Sequence, residues 1–364
     1  MRKILFAVMV LAGIAGCSKN ESEIDLQTEG ESTLTVNITP SAGTPAGVIS
    51  GGVMNGTKAV GSGHGNQDSD NTVQTLEIFV FKNLSGAADD GILEAYKKFS
   101  GSELASLSGL QLRAKTGQKT IYAVANSHKS DWSGVDTYAK FLAAAASLKS
   151  ENTTSFTMTG SANATLEATT SVSVPVSRLV GRVILASVRT NFAGTPYAGG
   201  TISNVAAYLT NVVPEVYYGS GMSSGSGVLN SLGYVAADCS GCTMSNMLYD
   251  SMPSAIGDSG YSGPNYFYCY ENTIASEGSS KFTRLVIQAD LSGKTYYYPI
   301  NINREGYGYS SGTAGISRNT SYALNVVISG PGSTNPEQPI TMGSLSVSVS
   351  VANWATVPDS SVNF

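Results

Sequence analysis

Hydrophobic and polar positions alternate along much of the chain, and the most regular alternation is SLSVSVSVANW at residues 344–354. Single serines separate its apolar positions, which are Leu345, Val347, Val349 and Val351. Successive side chains of a strand point to opposite faces of a sheet, so this run predicts a strand with one apolar face. Chain ends usually fray, and a regular strand so near the C-terminus therefore suggests that something covers its apolar face.

A second alternating run, STLTVNITP at 32–40, has the same apolar spacing and ends at a proline. Its apolar positions are Leu34, Val36 and Ile38. At about 3.3 Å per residue either run spans the edge of a β-sandwich, and burial of each large apolar side chain is worth about 1.5–3 kcal/mol. Either run could occupy the same groove, and both could equally be ordinary strands of their own domains.

Short strands are also predicted along the rest of the chain, because apolar runs rich in β-formers alternate with turn-forming residues. They cover residues 72–83, 119–127, 155–160, 164–176, 178–188, 201–213, 266–273, 282–291, 295–302 and 321–330. One amphipathic helix is predicted over 135–150, where VDTYAKFLAAAASLKS has apolar residues at helical spacing. The pattern predicts a mainly β fold of two β-sandwich domains with short helices, and their boundary is expected near Pro175.

The first 17 residues, MRKILFAVMVLAGIAGC, combine a basic start, an apolar run and small residues directly before Cys17. The apolar run is too short to span a bilayer and predicts a signal peptide. The small residues before the cysteine resemble the lipobox of bacterial lipoproteins. Cys17 is therefore expected to carry lipid, palmitate included, and to anchor the exported protein in the outer membrane. An ordinary secretory signal is the alternative.

Charge and composition narrow the class of protein. The net charge is −5, and only 13% of residues are charged. The sequence has no run of basic residues that could bind a phosphate backbone, so nucleic acid is not an expected partner. Forty glycines and many Ser, Thr and Tyr residues are typical of an extracellular β-rich protein.

Candidate catalytic and metal-binding residues are few. The two histidines, His64 and His128, have no Cys, Asp or Glu at ligand or triad spacing and are expected to be exposed loop residues. Cys239 and Cys242 form a CxxC without a second half-site, so a disulfide between them, or one from this pair to Cys269, is more plausible than a zinc or redox centre. No metal, cofactor or enzymatic activity is expected.

Short segments over most of the chain resemble one family. They are the lipobox at Cys17, DNTVQTLEIFVF (70–81), KTIYAVAN (119–126), SRLVGRVIL (177–185), YFYCYENT (266–273), ISRNTSYALNVVISGPG (316–332) and VSVSVANW (347–354). In this order, and with Trp354 near the end, they resemble the FimA-like fimbrillins, the lipoprotein subunits of type V pili in the Bacteroidales.

This resemblance implies two transthyretin-like β-sandwich domains and a C-terminal donor strand. A protease removes the first strand, and a neighbouring subunit fills the groove with its own C-terminal segment, which is β-strand addition. The implied segments are the signal peptide 1–17, the tether, removable strand and cleavage loop 18–58, the domains 59–174 and 175–342, and the donor segment 343–364. The donor residues are then Leu345, Val347, Val349, Val351 and Trp354, and the removed strand carries Leu34, Val36 and Ile38.

The cleavage site departs from the family pattern. Maturation in the best-known fimbrillins is Arg-specific, but this chain has no Arg between Arg2 and Arg113. The matching position is Lys58, the only lysine between Lys19 and Lys82, so a trypsin-like protease that accepts lysine is expected to cut between Lys58 and Ala59. The implied partners are this protease and other pilus subunits, at a cell-surface pilus that supports adhesion. A surface glycan-binding β-sandwich lipoprotein is the alternative.

Overall fold

The computed structural model describes residues 30–40, 50–51, 70, 72–83, 91–151, 153–225, 247–252, 255–273, 281–304, 314–338, 340 and 345–353. Among these residues strands dominate, and the prediction of a mainly β fold with little helix is confirmed. No helix in these ranges is long and apolar enough to cross a membrane.

A seven-stranded sheet forms the N-terminal half. The strands of this half are β1 (Glu31–Pro40), β2 (Ser50–Gly51), β3 (Thr72–Val73), β4 (Thr75–Lys82), β5 (Leu93–Ser100), β6 (Leu110–Lys115), β7 (Gly117–Ala125), β8 (Ala145–Ser147), β9 (Met158–Leu166) and β10 (Thr169–Arg178). The order in the sheet is β5-β4-β7-β9-β10-β1-β6, and β2 pairs with β3 separately. The first strand of the chain therefore lies inside the sheet, between β10 and β6.

Two further sheets form the C-terminal half. Its strands are β11 (Val180–Thr190), β12 (Ile202–Thr210), β13 (Glu215–Tyr217), β14 (Tyr249–Ser251), β15 (Ala255–Ile256), β16 (Asn265–Tyr270), β17 (Arg284–Leu291), β18 (Lys294–Asn301), β19 (Thr320–Ile328) and β20 (Leu345–Asn353). One sheet has the order β16-β11-β19-β20 and the other β14-β12-β17-β18, with β15 beside β12. Among the described residues, the last strand therefore lies at the edge of its sheet.

Strand β4 faces two hydrophobic cores, one on each side of the N-terminal sheet. Ile78 and Val80 pack in a core with residues of β1, β6 and β10, whereas Phe79 and Phe81 point to the opposite face and join the core of the C-terminal half. A strand that is buried on both faces has no face exposed to solvent, which explains the nearly continuous apolar run LEIFVF in this segment.

The helix predicted over 135–150 is much shorter than expected. Only Tyr138–Leu142 is helical (α1), and the side chain of Thr137 caps it by accepting a hydrogen bond from the Lys140 amide. The alanine-rich continuation forms β8 instead, which pairs with β13. The prediction was wrong in length because pairing with a strand distant in sequence outweighed the helix propensity of the alanines.

Pro175 lies inside β10, opposite Thr39 of β1. A proline is tolerated there because β9 pairs with β10 only at Ser177 and Arg178. Beside it, Gly160 approaches so closely that a Cβ atom would lie 1.8 Å from the Pro175 carbonyl oxygen, so no larger residue fits. The predicted domain boundary at Pro175 stays a prediction.

Candidate assembly site

Strand β1 has a hydrogen-bonded neighbour on each side. It runs parallel to β10, with Thr33 opposite Thr169 and Pro40 opposite Val176. It runs antiparallel to β6, with Glu31 opposite Lys115. Loss of β1 would expose backbone N–H and C=O groups of both neighbours, which is unfavourable unless another strand pairs with them.

The inward face of β1 is apolar and covered. The side chains of Leu34 and Val36 are 0% exposed and that of Ile38 is 6% exposed. All three predicted residues of the removable strand pack in one core with residues of β6 and β10, which are Leu110, Leu112, Val172, Val174 and Val176. Without β1 these neighbours would line an apolar trough, whose exposure costs about 25 cal/mol per Å².

The outward face of β1 is held by a few polar contacts. Asn37 donates from Nδ2 to Ser171 Oγ at 3.0 Å and accepts from the Gly109 amide at 2.9 Å. Glu31 pairs with Arg113 at 3.1 Å, but both side chains are 84% exposed, so this ion pair adds little to stability. Strand β1 is therefore held in place mainly by its backbone hydrogen bonds to β10 and β6 and by the burial of its apolar face.

The predicted donor strand pairs with its own chain in this structure. Strand β20 lies antiparallel to β19, with Leu345 opposite Ile328 and Val351 opposite Tyr322. Leu345 is 1% exposed, and Val347 and Val349 are half-buried against the C-terminal core. Trp354 lies outside the described residues. Within the described part of the chain, β20 pairs with β19 alone, whereas β1 pairs with both β10 and β6.

The strand that completes the groove was not predicted from the sequence. Strand β6 is the antiparallel neighbour of β1, and it was not among the predicted strands. Its sequence LQLRAK alternates buried and exposed residues without interruption: Leu110, Leu112 and Ala114 point inward. This period-two pattern was the signal that could have identified it, and its shortness hid it.

Most of the other predicted site residues are not among the residues that the structure describes. The positions Cys17, Lys58, Ala59, His64, Cys239 and Cys242 lie outside the described residues. Cys269 is a free thiol one residue before the end of β16 and is not joined to another cysteine. Complete burial raises the pKa of this thiol to about 12, so it is protonated and unreactive at neutral pH.

His128 is an exposed loop residue, as expected, and its ring has two polar neighbours. Its Nε2 atom donates to the Ser155 carbonyl oxygen at 2.7 Å and lies 3.8 Å from Glu151 Oε2. Burial raises the pKa of Glu151, and the nearby His128 opposes this shift. Among the described residues no group of three His, Cys, Asp or Glu side chains is placed to hold a metal ion.

Two family models match the chain. The model of the major fimbrial subunit protein (FimA) matches residues 46–226, and the model of the FimA4 pilin C-terminal domain matches residues 273–354. The first match begins after β1 and the second ends within one residue of the end of β20. Together they cover more than half of the chain.

Curated relatives give local matches of the same kind. The chain is 30% identical over 125 residues to the major fimbrium subunit FimA type-2 of Porphyromonas gingivalis, which is 26% of this chain and 33% of that protein. It is 35% identical over 72 residues to the type-5 subunit of the same organism, 18% of each chain. The aligned regions thus span about a third or less of these relatives.

Solved structures match over nearly the whole chain. A protein of Parabacteroides distasonis assigned to cell adhesion has a TM-score of 0.63 at 20% identity, over 91% of this chain and 99% of its own. A fimbrilin of Porphyromonas gingivalis W83 has a TM-score of 0.61 at 18% identity, over 90% of this chain and 99% of its own. At these identities the structural match shows a shared fold. The family models and the curated relatives agree with it, and the chain belongs to the FimA-like family of fimbrial subunits.

Proposed function

We propose that this chain is a structural pilus subunit that is exported as a lipoprotein, cut once after its first strand, and polymerised by donor-strand exchange. The observation that carries the proposal is the contrast between β1 and β20. Among the strands that the structure describes, the first fills an interior position with two ladders, and the last occupies an edge with one. A β20 strand that entered the position of β1 in a neighbouring subunit would gain a second ladder.

The two strands also match in side-chain pattern. In β1 the inward apolar positions are Leu34, Val36 and Ile38, and in β20 the apolar positions recur at the same spacing from Leu345. A strand that replaces β1 must present branched or long apolar side chains at every second residue, because a one-residue slip would turn serines into the core. Strand β20 meets this requirement.

Cleavage would supply the irreversible step. A lysine-accepting, trypsin-like protease cuts between Lys58 and Ala59, and β1 is then no longer covalently joined to the rest of the chain. As long as the chain is intact, β1 competes with any donor as an intramolecular strand at high effective concentration. After the cut β1 can be diluted away, and the open groove favours a donor from another subunit.

Donation has a cost within the donor subunit. When β20 leaves, the edge of β19 is exposed and the partly buried Val347 and Val349 lose their contacts with the C-terminal core. This loss is smaller than the gain in the acceptor, where an interior position with fully buried side chains is filled. The difference drives polymerisation.

The proposed partners follow from these steps. They are other pilus subunits, the maturation protease, and the outer-membrane lipid layer that holds the precursor through a lipid on Cys17. The fibre lies at the cell surface and supports adhesion. No enzymatic activity is proposed.

The proposal is tested on the precursor lacking its lipid, residues 18–364. Native trypsin digestion, N-terminal sequencing and size-exclusion chromatography are combined on one sample. We expect a new N-terminus at Ala59, followed by SDS-resistant ladders. A clean cut with a stable monomer would contradict self-polymerisation and indicate a subunit that needs a different partner. An intact chain would contradict the maturation step and favour the glycan-binding alternative.

A further inference from the structure

Asp70 joins the start of the N-terminal sheet to the C-terminal half. Its carboxylate accepts hydrogen bonds from Arg182 Nη1 at 3.0 Å and from the Tyr268 hydroxyl at 3.1 Å. Its main-chain oxygen accepts a further hydrogen bond from Arg178 Nε at 2.9 Å. Three residues from β10, β11 and β16 thus hold one residue that precedes β3.

Burial makes this contact costly to break, because loss of one partner would leave a buried charge unpaired. Asp70 and Arg182 are both 0% exposed, and Arg178 and Tyr268 are also buried. Burial lowers the pKa of Arg178 to about 10, and the negative charge of Asp70 opposes that shift. Burial also raises the pKa of Tyr268 well above its usual value, so its hydroxyl stays protonated and donates. A buried guanidinium needs a counter-charge, which Asp70 provides.

Asn126, directly after β7, forms a second attachment to the segment that begins at Thr72, two residues after Asp70. Its backbone adopts the left-handed region, with φ at 53°. Its Oδ1 atom accepts from the amides of Gln74 at 2.8 Å and Thr75 at 3.2 Å. Its Nδ2 atom donates to the carbonyl oxygens of Thr72 at 2.8 Å and Phe156 at 3.0 Å.

These contacts matter because of what the cut removes. Strand β3 pairs in parallel with β2, with Ser50 opposite Thr72 and Gly51 opposite Val73. Strand β2 precedes Lys58, so a cut after Lys58 separates it from β3 together with β1. The side-chain contacts of Asp70 and Asn126 come from residues downstream of the cut and remain.

We infer that Asp70 and Asn126 are anchors that hold the matured subunit in place from residue 70 onwards, so that proteolysis opens the groove without unravelling β3 and β4. This inference rests on the proposed maturation. Strand β4 lies between β5 and β7 and supplies both hydrophobic cores, so fraying that reached it would damage the subunit. The anchors confine the loss to the side of the sheet where β1 lies.

The test is hydrogen exchange with mass spectrometry on the full chain, before and after the trypsin cut, in a variant whose polymerisation is blocked by Val349→Asp. The anchor variants are Asp70→Ala and Asn126→Gly; glycine keeps the positive φ at that position. Asp131→Asn, an exposed carboxylate, is the control. We expect exchange in residues 72–82 to rise at least about tenfold in the cut anchor variants, and clearly less in the uncut ones.

Residues 284–301, in β17 and β18, serve as the internal reference and should not change. Equal exchange of residues 72–82 in cut anchor variants and cut parent would overturn the inference. A rise of the same size before and after the cut, or along the whole chain, would also overturn it, because the residues would then stabilise the fold in general. If Asp70→Ala does not fold, the exchange of residues 72–82 in the Asn126→Gly variant decides whether the inference holds.

The inference can fail separately from the proposed function. If trypsin leaves Lys58 intact, Ser62→Arg introduces a cut at another point upstream of Asp70, and the exchange experiment proceeds unchanged. Failure to polymerise has no bearing on exchange in residues 72–82, which is measured on monomers.

Discussion

Leu34 of β1 lies directly opposite Leu112 of β6, and both side chains are buried in the same core. The first residue belongs to the strand that is proposed to leave, and the second to the strand that stays. Separating them would expose the surface that a donor strand must cover, so this pair links stability of the precursor to assembly of the fibre.

Leu34→Ala should destabilise the precursor but not the matured subunit. The side chain is fully buried, and such truncations cost about 2–5 kcal/mol of the free energy of unfolding. Urea unfolding of the uncut and cut proteins measures the difference. Thr35→Ala, on the outward face, is the control. An equal loss in both forms would mean that β1 stays bound after the cut.

Lys58→Ala should prevent the cut that produces the mature subunit of normal length. The chain has no other lysine or arginine between Lys19 and Lys82, so trypsin-like cleavage has no substitute residue in this loop. N-terminal sequencing after native digestion is the measurement, and Lys115→Ala, an exposed lysine on β6, is the control. Processing of the variant to the same length would show that Lys58 is not the cleavage site.

Val349→Asp should block polymers while the subunit itself stays folded. In the edge strand the side chain is half-buried, and a carboxylate there can reach water, so we expect a loss of no more than about 2 kcal/mol in the free energy of unfolding. In the groove of a neighbour it would be fully buried and unpaired. Ser348→Asp, whose side chain points to the other face, should still polymerise. SDS-resistant ladders from the Val349 variant would contradict the donor assignment.

Glu151 should make stability depend on pH. Its carboxylate accepts from the Tyr270 hydroxyl at 2.9 Å and the Thr157 amide at 3.0 Å, yet burial dominates and raises its pKa above the ordinary 4.5. A raised pKa means that the protonated form stabilises the fold below the unfolded-state pKa, and that this contribution is lost as the pH rises through the folded-state pKa.

The free energy of unfolding of the wild type, relative to Glu151→Gln, should therefore fall as the pH rises above 4.5. Urea unfolding at a series of pH values measures it. Glu167→Gln, at an exposed carboxyl, should show no such trend. A relative stability that instead increases with pH would mean that the hydrogen bonds and His128 outweigh burial.

Strand prediction succeeded where the alternation was long. The runs at 32–40 and 344–354 became β1 and β20 because a period of two over eight or nine residues fits a half-buried strand and little else. It failed for β6, whose six residues give a short signal, and for 135–150, where alanines at helical spacing joined a strand from residue 145. Short segments follow their tertiary partners rather than their own propensity.

The sequence by itself determined that the first and last strands each have an apolar face, since side-chain alternation is a property of the local backbone. Only the tertiary structure decided which surface covers each face. It placed β1 between β10 and β6 and β20 at the edge of β19, and it brought Asp70 to Arg182, 112 residues away. Such pairings depend on contacts between segments that are distant in sequence, so a local sequence pattern cannot predict them.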